Sequence, residues 1–365
     1  MLKMDSALLN RETVERHSVD MRQFIDFRQS TLPNGMRIIE AYNSSGLCFT
    51  LLPDRGLDIW AASYKGIPLT WISQGSPFPS DFGLSWLRQF NGGLLTTCGL
   101  THVGPPESDE STGEYRDLHG RYSRLRAHEI SLERHWYGSE DYSVWLTGIV
   151  SESSMFGEQL VLRRSVGLEL GRPTITLWDT VTNVGDTPTP LMVLYHFNLG
   201  FPLIKAGTLL HTPNQAVYAR DEPARLGLSR WWEYREAEAR SQEQVYFHHL
   251  KAKSNGFTRI MIGDDQCAIV LDWDTTALPY FTQWKNARQA MYVSGIEPGN
   301  CIPEGRNSAQ RSHRLMILEP GQEMRFAVSL TVAEGIEQMR ECKASINQLQ
   351  DLGTPVKACN LTEYQ

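Results

Sequence analysis

The sequence is short of the features that announce most function classes. Its six cysteines in 365 residues (Cys48, Cys98, Cys267, Cys301, Cys342 and Cys359) lie far apart, with no C-x-x-C pair. Such spacing reads as scattered free thiols in a reducing compartment, many in the core, not as a disulfide framework. No H-x-H or H-E-x-x-H occurs. The adjacent His248 and His249 would point to opposite faces of a strand, so no metal site is expected. A Walker loop, a Rossmann fingerprint behind a strand and a G-x-S-x-G elbow are all missing. Nucleotide and nicotinamide chemistry therefore has no support, and no cofactor is expected.

Long apolar runs are also absent, and a bilayer span needs ~20 such residues. The opening MLKMDSALLNRETVERHS has no apolar core followed by a small-residue cleavage site, so it does not read as a signal peptide. Basic residues form no block: 35 Lys and Arg face 42 Asp and Glu, for a net charge of −7. That balance lacks the electrostatic footprint of a nucleic-acid binder. Neither membrane nor nucleic acid is expected as a partner, and the default location is cytoplasmic.

What is present is ordinary globular composition, 41% hydrophobic and 21% charged, patterned with a period of two. In Thr174 to Thr182, Ile175, Leu177 and Val181 share one face while Thr176, Trp178 and Thr180 share the other. Arg325 to Ala333 and Cys267 to Asp274 alternate in the same way, and Leu47 to Leu51 and Trp145 to Ile149 do so over shorter runs. Successive side chains on a strand point to opposite faces, so this is the text of half-buried antiparallel strands. Turn residues punctuate it at Asn183-Val184-Gly185-Asp186, Glu319-Pro320-Gly321 and Pro53-Asp54-Arg55-Gly56. Helical spacing is clear only in Gly335 to Gln350, with a weaker short helix in Arg11 to Phe27. Without helices between strands, parallel βαβ units are excluded. Gly104 to Arg116 and Arg220 to Ser241 read as loops, and nothing reads as a domain boundary. The chain is expected to be mainly all-β: one β-sandwich domain over residues 1–365, core about 35–335 and C-terminal helix about 335–350.

Four segments set titratable residues into apolar strand-like text. In LSWLRQFNGGLLTTCG, Arg88 precedes Gly92-Gly93, a pair that lets backbone approach a ligand closely, though spacing alone favours a surface arginine before a turn. In DLHGRYSRL, His119 stands before Gly120, with Arg121 and Arg124 beyond, suited to an oxygen-rich ligand or to a solvated turn. His196, inside LMVLYHFNLGFP, is a core histidine or a buried catalyst of shifted pKa. Glu297 ends an apolar strand in YVSGIEPGNCIPEGR, either as an ordinary turn carboxylate or as one that Asn300 and Arg306 orient. Trp284-Lys285-Asn286 and Glu243-Gln244-Val245-Tyr246 add the aromatic and polar groups that line sugar sites.

Taken in order, these segments resemble the aldose 1-epimerase (galactose mutarotase-like) superfamily, in an uncharacterised aldose 1-epimerase-like branch. WDTVTNVGDTPTPLMVLYHFNLGFP is similar to that family's strand, T-N-x-G-D-x-P turn and histidine-aromatic-Asn signature. FNGGLLTTCGL with LHGR, PDRGLDIWAASYKGIPLTWIS and YVSGIEPGNC resemble its Gly-rich segment with H-G motif, its early hairpin and its glutamate-bearing strand. The likeness spans about Leu47 to Ala333.

The resemblance implies a galactose mutarotase-like antiparallel β-supersandwich with a few short helices and a sugar held on one sheet. It also implies an isomerase that interconverts α and β anomers by acid–base ring opening. Glu297 matches the general base and His196 the acid, with His119 and Arg88 binding hydroxyls; Glu243 falls where relatives carry an aspartate. The sequence departs from the family in reading Tyr195-His196-Phe197-Asn198 in place of a longer N-H-x-Y-F-N. Lys285, Arg121 and Arg306 suggest an acidic or phosphorylated monosaccharide. The alternative is a non-catalytic sugar-binding or regulatory protein on the same fold. A glycosidase or lyase lacks a second carboxylate beside Glu297. A homodimer is left open.

Overall fold

Period-two text becomes a sandwich of two sheets. The computed structural model describes residues 8–109, 113–350 and 356–358. Residues 1–7, 110–112, 351–355 and 359–365, Cys359 among them, lie outside the described residues. The larger sheet has twelve strands. Its middle runs Asp58–Tyr64, Leu95–Cys98, Leu194–Gly200, Met291–Gly299, Tyr280–Arg288, Gln244–Leu250, and its pairings are antiparallel apart from Asn214–Ala219 with Val356–Ala358. The second sheet has eight antiparallel strands, with Cys267–Asp274, Glu323–Glu334, Thr174–Asn183, Gln159–Glu169 and Asp141–Ser153 at its middle.

The core lies between the sheets. From the second sheet come Ile175, Leu177, Val181, Phe326, Val328, Leu330, Ile269 and Leu271; from the larger come Ile59, Leu95, Tyr195, Phe197 and Ile296. Each fully buried aliphatic side chain contributes roughly 1.5–3 kcal/mol of transfer free energy. Helix Ile336–Gln350 sets Met339 and Ile346 over Met261, Ala268 and Val270. That cover explains why Val270 is buried although it alternates with Ile269 and Leu271.

An ionic cluster crosses the core. Arg164, fully buried, donates to Asp179 Oδ2 at 2.7 Å, to Asp58 Oδ1 on the other sheet at 2.8 Å and to Thr97 Oγ1 at 2.9 Å. Tyr195 donates its hydroxyl to Asp179 Oδ2 at 2.7 Å. Burial works against the guanidinium charge, but the Asp179 carboxylate and its neighbours outweigh it, and Arg164 stays charged. Tyr195 and Thr97 are register partners on the inward face, so His196 and its partner Thr96 face the other way. The cluster thereby fixes the strand from which His196 projects.

The turn after Thr174–Asn183 shows why its residues are what they are. Asn183 is buried, accepts from Gly185 N and donates to Thr187 O and Leu318 O at 2.8 and 2.9 Å, so a single amide closes the turn. The expected loop Arg220 to Ser241 instead holds a short helix, Glu222–Gly227. Asp221 caps it by accepting from Ala224 N, and a proline sits in its first turn, signals masked by the segment's high charge. Near the N-terminus the helix is confined to Arg11–His17, and a strand begins at Ile25. Of the five described cysteines, Cys98 and Cys301 are buried and all are free thiols.

Candidate functional site

His196 and Glu297 meet on the face of the larger sheet turned away from the core. Ile296 and Phe197 point into the core; one residue along, Glu297 and His196 point out. His196 Nε2 lies 3.1 Å from Glu297 Oε1, with 7% and 3% of the side-chain surfaces exposed. The approach is off the line of a hydrogen bond. Glu297 Oε1 and Thr282 Oγ1, on the register partner of Glu297, are buried without hydrogen-bonding partners among the described residues. Buried polar atoms left unpaired in this way call for a ligand or a reaction to explain them.

Apolar clusters flank the pair. On one side are Trp86, Cys98 and Leu194, and on the other Val245, Phe247 and the edge of Trp284. Burial pushes the Glu297 carboxyl up to about 8, Arg220 pulling it down and Glu243 pushing it up. Burial pushes His196 down to about 4 against the pull of Asn198. At neutral pH the two groups therefore hold one proton between them, on the carboxyl.

Gly295 makes the arrangement possible. It lies two residues before Glu297 and opposite Trp284, and a Cβ there would collide with Glu297 Oε1 and reach 3.1 Å from His196 Cε1. An isolated glycine in a strand is the sequence signal for such a close approach, and YVSGIEP carries it.

The remaining expected residues divide. The Trp284 ring stands 5.5 Å from the His196 ring, and its Nε1 donates to Glu243 Oε2 at 2.9 Å. Glu243 Oε1 accepts from Arg220 at 2.8 Å, and Arg220 also pairs with Asp221. Arg220 is the charged residue that sequence reasoning missed, and one arginine at a strand end gives no signal. The His119 ring lies 6.2 Å from His196 and 5.0 Å from Trp86. Burial, then His196, lower its basicity, which leaves a neutral imidazole.

Other expected residues stand elsewhere. Lys285 neighbours Trp284 on one strand and so faces the opposite side, where Nζ donates to the carbonyls of Glu233 at 2.7 Å and Trp231 at 3.0 Å. Burial, then Arg235, bring its pKa down to about 8. Asn300 is spent on the backbone, accepting from Val193 N and donating to Leu191 O. Arg121 lines a cavity of about 470 Å³ that neither His196 nor Glu297 borders. Arg306 lies 3.7 Å from Asp109. Arg88 is exposed on the short turn Trp86–Gln89, whose Trp86 stacks on Phe90, and the Phe90 ring lies 5.9 Å from His196. What closes on Gly92 and Gly93 is the chain's own backbone: their Cβ atoms would fall 2.6 Å from Trp71 O and 2.8 Å from Ile59 O. Among the described residues, no three His, Cys, Asp or Glu group to hold a metal ion, and no helix is long and apolar enough to cross a membrane.

A family model described as a domain of unknown function, DUF4432, matches residues 33–332. No curated protein matches the chain. Among solved structures, a proposed aldose 1-epimerase of Klebsiella pneumoniae is similar with a TM-score of 0.85 at 22% identity, covering 96% of this chain and 97% of that one. A galactose mutarotase-like protein of Clostridium acetobutylicum gives 0.59 at 13% identity over 86% of this chain and 99% of that one. A galactose 1-epimerase of Lactobacillus acidophilus gives 0.53 at 13% identity over 85% and 99%. At these identities the likeness is one of fold, and the fold is galactose mutarotase-like, an antiparallel β-sandwich with few helices.

Proposed function

The chain belongs to the DUF4432 family, and we propose that it acts as an aldose 1-epimerase, interconverting the anomers of a monosaccharide at His196 and Glu297. The observation that carries this reading is the pair itself: two titratable groups 3.1 Å apart and both buried, where burial raises the carboxyl and lowers the imidazole. Ring opening needs one acceptor for the O1 proton and one donor for the ring oxygen. The C1–O5 bond breaks as those protons move, the open-chain aldehyde rotates about C1–C2, and the steps reverse. A neutral imidazole with a carboxylic acid meets that need. So does an imidazolium with a carboxylate, which is the same pair with its proton on the other partner. The roles implied by the resemblance, Glu297 as base and His196 as acid, are the second form. Closure on the opposite face of the carbonyl uses each group in reverse.

The charged side chains that act on Glu297 are Arg220 and Glu243, which are paired to each other. Lys285, Arg121 and Arg306 do not gather around the pair. Both facts support an uncharged sugar ring over an acidic or phosphorylated one. Trp284 supplies an aromatic face of the kind that stacks on the C–H side of a pyranose, and His119 a neutral imidazole for hydroxyl bonding.

The test is anomer exchange followed by NMR with neutral, acidic and phosphorylated aldoses. Glu297→Gln and His196→Asn are each expected to cut the enzymatic rate about 10²-fold or more with the fold retained. Near-native exchange in both variants would end the assignment. Sugar binding without accelerated exchange in the native protein would instead mark a sugar-binding protein.

A further inference from the structure

The hairpin joining Asp141–Ser153 to Gln159–Glu169 ends in two apolar residues held out in water, Met155 and Phe156, 86% and 94% exposed. The tip is a formed turn: Ser154 N donates to Glu158 O at 2.9 Å and Gly157 N to Ser154 O at 3.3 Å. Next to it is the cavity of about 470 Å³, bordered by Glu158 of the same hairpin and by exposed Phe82, Leu84 and Tyr115. Arg121 also borders it, its guanidinium 5.5 Å over the Phe82 ring. Neither Arg121 nor Glu158 makes an ion pair among the described residues, although both act on the buried Glu152 carboxyl, with opposite sign.

One continuous surface thus carries an apolar projection, a recess of mixed apolar and charged lining, and, among the described residues, an arginine and a glutamate that stand outside any ion pair. Such a surface is complementary to itself, which is the requirement for an isologous interface: residue i meets j, and j meets i. We propose that the protein forms a twofold homodimer through this surface. Each protomer seats its Met155–Phe156 tip in its partner's cavity, and Arg121 of each faces Glu158 of the other. A small ligand would account for the cavity but not for the tip, and a lipid surface for the tip but not for the charged recess. A second copy accounts for both.

Sedimentation velocity from sub-micromolar to high-micromolar protein tests the proposal. The native chain is expected to sediment as a dimer at the upper end and Phe156→Asp as a monomer. Arg121→Glu and Glu158→Arg, each placing like charges face to face, are expected to weaken association more than tenfold. The two together exchange the charges and are expected to restore it. All these positions are at the surface, so unchanged thermal melts show that the variants fold. A native chain that stays monomeric throughout, a dimer indifferent to Phe156→Asp, or single charge reversals that cost nothing would each overturn the proposal, as would a double variant no better than its parents.

Discussion

Gly295 lacks the side chain whose first carbon would collide with Glu297 Oε1. The carboxyl occupies the volume that any other residue would claim, and the same added carbon would stand 3.0 Å from Trp284 Cβ and 3.1 Å from His196 Cε1. Gly295→Ala is expected to displace the carboxyl and cut anomer exchange about 10²-fold, the usual consequence of a misplacement near 1 Å. Overpacking should cost about 1–3 kcal/mol of stability. Exchange rates beside urea melts check both, and a variant with native turnover would show that Glu297 does not depend on this gap.

In the proposed reaction the pair works while it holds one proton. Below about 4, His196 gains a second, and above about 8 Glu297 gives up the only one. The rate is therefore expected to form a bell with limbs near these values, which belong to the pair jointly. The stability of Glu297→Gln adds an independent check. Below its ordinary value of 4.5 the carboxyl is protonated in both folded and unfolded chains. Between 4.5 and about 8 only the unfolded chain loses the proton, so rising pH favours unfolding; above that both are ionised and the difference levels off. The Gln variant should gain on the native protein across that window and no further, as read from melting temperatures at several pH values.

Arg220 and Glu243 act on Glu297 with opposite sign. Arg220→Met removes a cation that favours the carboxylate, and should move the alkaline limb of the rate profile upward. Glu243→Gln removes a like charge and should move it downward. Limbs that shift together, or not at all, would leave the two residues as scaffolding for Trp284 only.

Arg164→Leu leaves Asp58 and Asp179 buried without their cation. The expected loss is about 3–5 kcal/mol, the usual result of removing one partner of a buried ion pair. The check is a shift of the urea midpoint at unchanged slope.

The larger part of the fold was legible because alternation is local. Ile175, Leu177 and Val181 reveal their strand whatever packs against them, and Cys267–Asp274 has the boundaries its alternation suggests. The same rule, pressed further, separates Trp284 from Lys285: neighbours on one strand cannot line one site, and the two face opposite ways. Asn300 reads in sequence as a group that could orient Glu297, because the backbone of Leu191 and Val193, which takes up its amide, cannot be found locally. The pairing of Arg220 with Glu243, 23 residues apart across a short helix, depends on a register that no local pattern encodes. Gly92 and Gly93 announce a close approach without saying to what.

The Arg164 cluster bears on how the two sheets find each other. Slipping a strand by one residue turns all its side chains to the opposite face. For Gln159–Glu169 such a slip would carry Arg164 out to solvent and leave Asp58 and Asp179 in hydrocarbon; for Leu194–Gly200 it would exchange Tyr195 with His196. The charges can leave water together in one alignment only. Mis-threaded closures are thereby rejected at the positions that set which side chain of Leu194–Gly200 faces Glu297.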